Sequence, residues 1–252
     1  MTEPKRLIAQ YFGPVVGVND WVDDNETRPL MLAARSGNIP LARALLDEGA
    51  DIDARSMDSM TALSYAADHS HEQMIEFLVA NGADLRDERA GLLALKRRDA
   101  SAARCLSSLG YDWQQINTEN ELMIWAIEHG GGTWVVDFLA NSGVDLNAAC
   151  TQPGSWEGAT PLTYCAFSLL DPSSDENNYV CVMLAAGADV SQLDGVALNE
   201  FYPEVGRVVE SYRARSAIMG ELNNLSRNDF FEDNSLMSGL RSSKRKSGFF
   251  PM

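Results

Sequence analysis

Pro29-Leu30-Met31-Leu32-Ala33-Ala34-Arg35-Ser36-Gly37-Asn38, followed by Leu41-Ala42-Arg43-Ala44-Leu45-Leu46-Asp47-Glu48-Gly49-Ala50-Asp51-Ile52-Asp53-Ala54, is the stretch that decides the fold. Pro29 suits the first turn of a helix, where the backbone donors have no intrahelical partner anyway. Leu30, Ala33 and Ala34 share one face, and the alanines keep that face narrow enough for a second helix to approach. Gly37 ends the first helix in a left-handed cap. Leu41, Ala44 and Leu45 repeat at i, i+3, i+4 and predict a second amphipathic helix closed by Gly49. From Ala50 to Met60 the chain reads as an extended, turn-rich connection. A helix pair of this size leaves an apolar face uncovered, so it requires neighbours stacked on it.

Those neighbours are in the sequence. Ala62-Leu63-Ser64-Tyr65-Ala66-Ala67 and Met74 to Leu85 repeat the pattern, with Gly49 falling on Gly82 and Asp51 on Asp84, a period of 33 residues. It returns at Thr160-Pro161-Leu162-Thr163-Tyr164-Cys165-Ala166 and Val180 to Val190. A fixed period of that size marks a stacked repeat. These residues resemble the ankyrin repeat, in which T-P-L-H-x-A leads through two short helices to a G-A-D turn. The resemblance implies an all-α ankyrin-repeat solenoid of about five helix-turn-helix units, some degenerate, with irregular caps. It also implies a non-enzymatic scaffold for protein–protein interaction, contacting its partner through the connecting fingers and the concave face of the inner helices. The chain departs from the pattern at the histidine, replaced by Met31, Ser64, Ile124 and Thr163, while the proline survives as Pro29 and Pro161.

The units are expected near 1–25, 26–58, 59–88, 89–117, 118–157 and 158–192, with a cap over 193–222 and a flexible tail over 223–252. Residues 1–25 read as the outer half of a truncated entry repeat, Arg6 to Phe12 being its helix. Gly110 comes 28 residues after Gly82, so the third unit has lost about a turn and a half of helix or its finger, and is read as a shortened helix pair that still stacks; Lys96-Arg97-Arg98 forms a local basic cluster there. Gly143 restores the 33-residue period, and Gly130-Gly131-Gly132 replaces the usual single glycine. Cys150 to Gly158 is a lengthened finger, and Asp171 to Asn178 an insert between the helices of the fifth unit. Pro203 begins a helix with Val205, Val208, Val209, Tyr212, Ile218, Met219 and Leu222 at helical spacing. The tail ends in Arg241-Ser242-Ser243-Lys244-Arg245-Lys246 and Phe249-Phe250.

Composition narrows the function. Hydrophobic residues make up 45% and charged residues 22% of the 252, as in ordinary folded chains, but 36 acidic against 20 basic residues leave a net charge of −16. Such a surface repels nucleic acid and anionic membranes and attracts basic proteins. It also serves simple solubility. Cys105, Cys150, Cys165 and Cys181 show no CxxC spacing and are expected as free thiols, with Cys105, Cys165 and Cys181 on buried helix faces. No apolar run has the length of a signal peptide core or a membrane span, so cytoplasmic residence is expected. His69 and His71 with Asp68 and Glu72 are the one imidazole and carboxylate cluster. They lie at a helix-to-helix turn, where a turn role outweighs a zinc site that would want four ligands. No catalytic residue, metal ligand or cofactor is assigned.

The resulting expectation is a binding protein, monomeric outside its complex, that captures a basic protein, with inhibition as one outcome of the capture, as an immunity protein neutralises a toxic enzyme. The alternative is an adaptor or secreted effector whose basic C-terminal tail addresses a second partner or compartment. The candidate contact residues are Trp21, Asp23, Asp24, Met57, Asp58, Asp87, Glu88, Glu119, Trp156 and Glu157. Trp156 stands out because an aromatic on a Gly/Pro-rich loop is the type of side chain that dominates interfaces.

Overall fold

A computed structural model describes residues 2–13, 16–97, 100–129, 132–154, 156–168, 177–194 and 203–228. Among them the regular structure is helical, with no strand. The array runs α1 (Glu3–Phe12), α2 (Pro29–Arg35), α3 (Ile39–Asp47), α4 (Ala62–Asp68), α5 (Glu72–Ala80), α6 (Glu88–Lys96), α7 (Ser101–Ser108), α8 (Leu122–Glu128), α9 (Trp134–Asn141), α10 (Pro161–Ser168) and α11 (Asn177–Ala185), then a 3₁₀ turn, Val190–Leu193. Residues 195–252 form a second compact unit, whose described part is α12 (Pro203–Asn228).

Two rows of helices build the stack. The inner helices α2, α4, α6, α8 and α10 pack each on the next, and each is backed by its own outer helix, α3, α5, α7, α9 and α11. Helix α1 packs on α3, an outer helix, which places it where a half repeat belongs. The reason for the close packing is the alanine face: Ala33, Ala34, Ala66, Ala67 and Ala126 are completely covered, and Leu30, Leu63, Met123 and Leu162 on the same helices are buried. Glycine closes the outer helices at φ +88° (Gly49), +97° (Gly82), +92° (Gly110), +87° (Gly143) and +101° (Gly187), a conformation that costs other residues strain.

The third unit keeps both of its helices and has lost its finger. Only Ala83 to Asp87 separates Gly82 from α6, and the Asp87 carboxylate accepts the Arg89 amide as the helix cap. A second departure is compensated locally. The residue after the closing glycine, alanine in three units (Ala50, Ala83, Ala188) and Val144 in a fourth, is here Tyr111, and its ring lies against Gly91 in the middle of α6, its hydroxyl donating to the Asp87 carbonyl at 2.9 Å. The glycine makes room for the tyrosine.

At two of the positions where the repeat pattern has its histidine, hydroxyls link the units. Thr61 and Ser64, at the start of α4, both donate to the Asp87 carboxylate of the next unit. Thr160 and Thr163 are bonded to each other at the start of α10, and Thr160 donates to Gln192 Oε1 beyond α11. On the outer side, Asn19 accepts the Asp51 amide, Asp53 the Asp84 amide and Asn147 the Asp189 amide. One amide or carboxylate oxygen per junction thus holds the backbone two residues after each of these glycines. His71 belongs to the same system, its Nε2 donating to the Arg35 carbonyl of the preceding unit at 3.1 Å.

Several expectations are corrected. Cys181 is exposed, whereas Cys105, Cys150 and Cys165 are buried. Asn177 and Asn178 open α11 and so belong to a helix, while Asp171 to Glu176 lie outside the described residues, as do Arg98, Gly130 and Gly131. Helix α12 starts at Pro203 as the sequence predicts but continues through Asn228, so the first residues read as tail are helical. Ile218 and Met219 on it are exposed, not buried.

Burial has a consequence at high pH. The Tyr111 phenol is pushed up by burial, reinforced by the Asp87 and Glu88 charges, and burial pushes the Cys165 thiol up to about 12. Both groups stay protonated in the folded chain at pH values where the unfolded chain has ionised, so unfolding releases protons there and stability falls as pH rises. Chemical denaturation between pH 7 and pH 11 is expected to show a loss beginning near the ordinary cysteine value of about 8.5 and steepening near the ordinary tyrosine value of about 10. Tyr111→Phe is expected to flatten the steeper part.

Candidate protein-interaction face

The fingers are tight turns with a common construction. In the first, the Val22 amide bonds the Thr27 carbonyl at 2.9 Å, and Glu26 takes φ +57°. In the second, the Ser56 amide bonds the Met60 carbonyl at 2.9 Å, and Ser59 takes φ +58°. The fourth turns at Asn120, φ +58°, and the fifth at Gly158, φ +79°. The fifth is closed by the Cys150 amide on the Ala159 carbonyl at 2.8 Å. The two residues before each left-handed position form the tips: Asp24-Asn25, Met57-Asp58, Thr118-Glu119 and Trp156-Glu157. Polar and small residues tolerate the left-handed turn, which is why a tip can be built without glycine in three of the four.

The fingers are joined in two pairs. The Met57 amide donates to the Asn25 carbonyl at 3.0 Å, tying the first to the second, and the Thr151 amide donates to the Glu119 carbonyl at 2.9 Å, tying the fourth to the fifth. Unit three supplies no finger between them; the Arg89 guanidinium reaches the Asp58 carbonyl at 3.3 Å instead.

The first pair brings together five of the ten candidate residues. Trp21 is 61% exposed and Met57 66% exposed, with the exposed acids Asp23, Asp24 and Asp58 around them. The Asp23 carboxylate is partly committed to its own turn. It accepts the Thr27 and Asn25 amides, each at 3.0 Å, and the Thr27 bonds hold it below the usual carboxylate range.

The second pair carries Glu119, Trp156 and Glu157. Glu157 is exposed, but Trp156 is half-buried, its ring set edge-on against Tyr164 with centroids 6.3 Å apart. It is therefore a fixed part of the surface and not a free side chain on a loose loop. Asp87 is a correction: it is only 3% exposed and is the acceptor for Thr61, Ser64 and the α6 cap, so it holds the stack together and is not available to a partner. Its neighbour Glu88 is exposed.

Three residues of this face were not singled out from the sequence. Glu121 precedes α8, and its carboxyl is pushed up by partial burial and then by the Glu119 and Glu88 charges. Trp125, four residues on, stacks flat on His129 at 4.2 Å. Tyr164 occupies the same place on α10. The signal was present: Leu32, Tyr65, Trp125 and Tyr164 each lie four residues after a helix N-cap position, and all but Tyr164 are half-buried. Among the described residues no group of three His, Cys, Asp or Glu is placed to hold a metal ion.

Residues 5–89 match a family model described as ankyrin repeats, in three copies. The mouse ankyrin repeat and SAM domain-containing protein 6 is 37% identical over 65 residues, covering 25% of this chain and 7% of that protein. The human mitochondrial disaggregase is 26% identical over 199 residues, covering 77% of this chain and 27% of that protein. The chain therefore spans about a quarter or less of the length of these curated relatives. Among solved structures, the crystal structure of the human ASB11 ankyrin repeat domain superposes with a TM-score of 0.53 at 20% identity, covering 74% of this chain and 84% of that one. That likeness is one of fold.

Proposed function

This chain is an ankyrin-repeat protein, and from that premise we propose that it is a non-enzymatic cytoplasmic scaffold, monomeric outside its complex, that captures a basic protein on its fingers and concave face. The observation that carries this reading is the row of acidic and apolar tips, the exposed Trp21, Asp24, Met57, Asp58 and Glu157 with the half-buried Glu119, on a chain of net charge −16. Opposite charge accelerates capture, and exposed aromatic and methionine side chains supply the apolar contact that holds it. Capture of a toxic basic enzyme, with its inhibition, fits this chemistry. No described helix is long and apolar enough to cross a membrane.

The test is capture from the cells that make the protein, quantified by mass spectrometry at two salt concentrations. Wild type is expected to retain a basic protein more strongly at low salt. The variant Asp24→Lys/Asp58→Lys/Glu157→Lys is expected to lose it, and Glu76→Lys, on the exposed side of α5, is expected to keep it. Undiminished retention by the triple variant would exclude the acidic-finger reading.

A second reading rests on Arg241, Lys244, Arg245 and Lys246 beside Phe249-Phe250, residues that lie outside the described part of the chain. An adaptor role predicts that deleting residues 229–252 removes one interaction or the localisation and spares the other.

A further inference from the structure

From Cys105 to Asp194 the chain contains no lysine and no arginine, against twelve aspartates and glutamates. The preceding 104 residues are different, with twelve basic residues interspersed among seventeen acidic ones. Charges interleaved within a Debye length of about 8 Å largely cancel one another's field, whereas an unrelieved run does not. The negative field of the array is therefore concentrated on its fourth and fifth units, away from the better-formed first two.

Aromatic rings stand in that field. Glu121, Trp125 and Glu128 are spaced i, i+4, i+7 and so share one side of α8. Trp125 is half-buried, with one ring face on His129. Tyr164 holds the equivalent place on the next inner helix, and Trp156 is braced against it. Glu119 and Glu157 stand on the tips of the two fingers that the Thr151 amide joins. Partial burial and the neighbouring Glu119 and Glu88 charges push the Glu121 carboxyl up, so an incoming cation is stabilised by several carboxylates at once.

We infer that this face, formed by Glu119, Glu121, Trp125, Glu128, Trp156 and Glu157, is the primary contact surface and takes an arginine-rich segment of the partner protein. Arginine is favoured over lysine by two features. Its planar guanidinium stacks on indole and phenol faces, and its fork of donors bonds carboxylates in pairs, whereas an ammonium acts as a point charge. The inference rests on the scaffold reading above and names which units carry it and what they recognise.

The test titrates nona-arginine and nona-lysine peptides into the full chain, followed by calorimetry and tryptophan fluorescence. Nona-arginine is expected to bind about fivefold more tightly than nona-lysine, the difference that stacking on a partly exposed ring supplies. Trp125→Leu is expected to erase that preference, and Glu119→Gln/Glu121→Gln to weaken both peptides about tenfold, as loss of two partly desolvated charge contacts implies. Asp23→Asn/Asp58→Asn, on the more exposed first pair of fingers, is expected to weaken both peptides by a smaller factor than Glu119→Gln/Glu121→Gln does, because exposed charges are better screened. Should Trp125→Leu impair folding, Trp156→Leu on the fifth finger reads the same preference. Equal binding of the two peptides, absence of binding, or a larger loss from the Asp23/Asp58 variant than from the Glu119/Glu121 variant would overturn the inference. These outcomes leave the scaffold reading to its own cell-capture test, which fails only if the charge-reversed fingers retain the partner undiminished.

Discussion

Asp87→Ala is expected to destabilise the array by about 3 kcal/mol, although nothing but an exposed loop acid is suggested by its place in the sequence. Its carboxylate is buried and is the shared acceptor of the Thr61 hydroxyl, the Ser64 hydroxyl at 2.7 Å and the Arg89 amide at 3.1 Å. Truncation leaves two buried hydroxyls and a helix N-terminus without their acceptor. Each unsatisfied buried group costs on the order of 1–3 kcal/mol and a lost N-cap about 1 kcal/mol. Thr61 and Ser64 lie 3.3 Å apart and can bond each other, which keeps the total below the simple sum. Urea denaturation measures it. In a Thr61→Val/Ser64→Ala background the same substitution is expected to cost only the cap, about 1 kcal/mol. Asp87→Asn, which keeps an acceptor oxygen, is expected to fall between. A cost for Asp87→Ala below about 0.5 kcal/mol, the range of ordinary surface changes, would show that the carboxylate does not link the second and third units.

Gly91→Ala is expected to destabilise by about 2 kcal/mol, against the usual direction of such a change. Alanine in a helix interior is favoured over glycine by about 1 kcal/mol. At Gly91 sterics win, because an added Cβ meets the Tyr111 hydroxyl at 2.2 Å, the ring carbon that bears it at 2.7 Å and Ile116 Cδ1 at 2.9 Å. Overpacking a filled interior costs about 1–3 kcal/mol, and displacing the ring also breaks the Tyr111 bond to the Asp87 carbonyl. The reciprocal experiment identifies the cause. Tyr111→Phe removes the atom that clashes most closely, so Gly91→Ala is expected to cost less in that background, and the coupling in the double-mutant cycle is read from thermal or urea unfolding. Equal costs in both backgrounds would mean that the glycine serves something other than the tyrosine.

The candidate site was legible in part. Trp21, Met57 and the acids beside them sit exposed on two joined fingers, because turn residues between apolar helices are forced to the surface. Asp87 was misread for an instructive reason. Its neighbours Asp84 and Glu88 lie at the surface, and only the loss of the third finger carries Asp87 under α4, where two hydroxyls meet it. Trp156 was read as a free aromatic because a loop sequence says nothing about which ring lies beside it. Trp125 and Tyr164 went unremarked because their common position, four residues past the cap, emerges only when inner helices are compared with one another; Glu121, the cap residue of α8, went unremarked because its partial burial comes only from packing.

The repeat architecture follows from the sequence alone: an alanine-faced helix, a leucine-rich helix and a closing glycine recur at a fixed interval, and such a unit is stable only when stacked, which local patterning suffices to dictate. Tertiary structure decided what became of the irregularities. The short third unit gave up its finger and kept its helices, since the helices bury the apolar faces and the finger buries little. Tyr111 found its room at Gly91 and its hydroxyl an acceptor at Asp87, 24 residues back, and Asp87 its partners at Thr61 and Ser64, 26 and 23 residues back, distances over which only the packed stack brings side chains together.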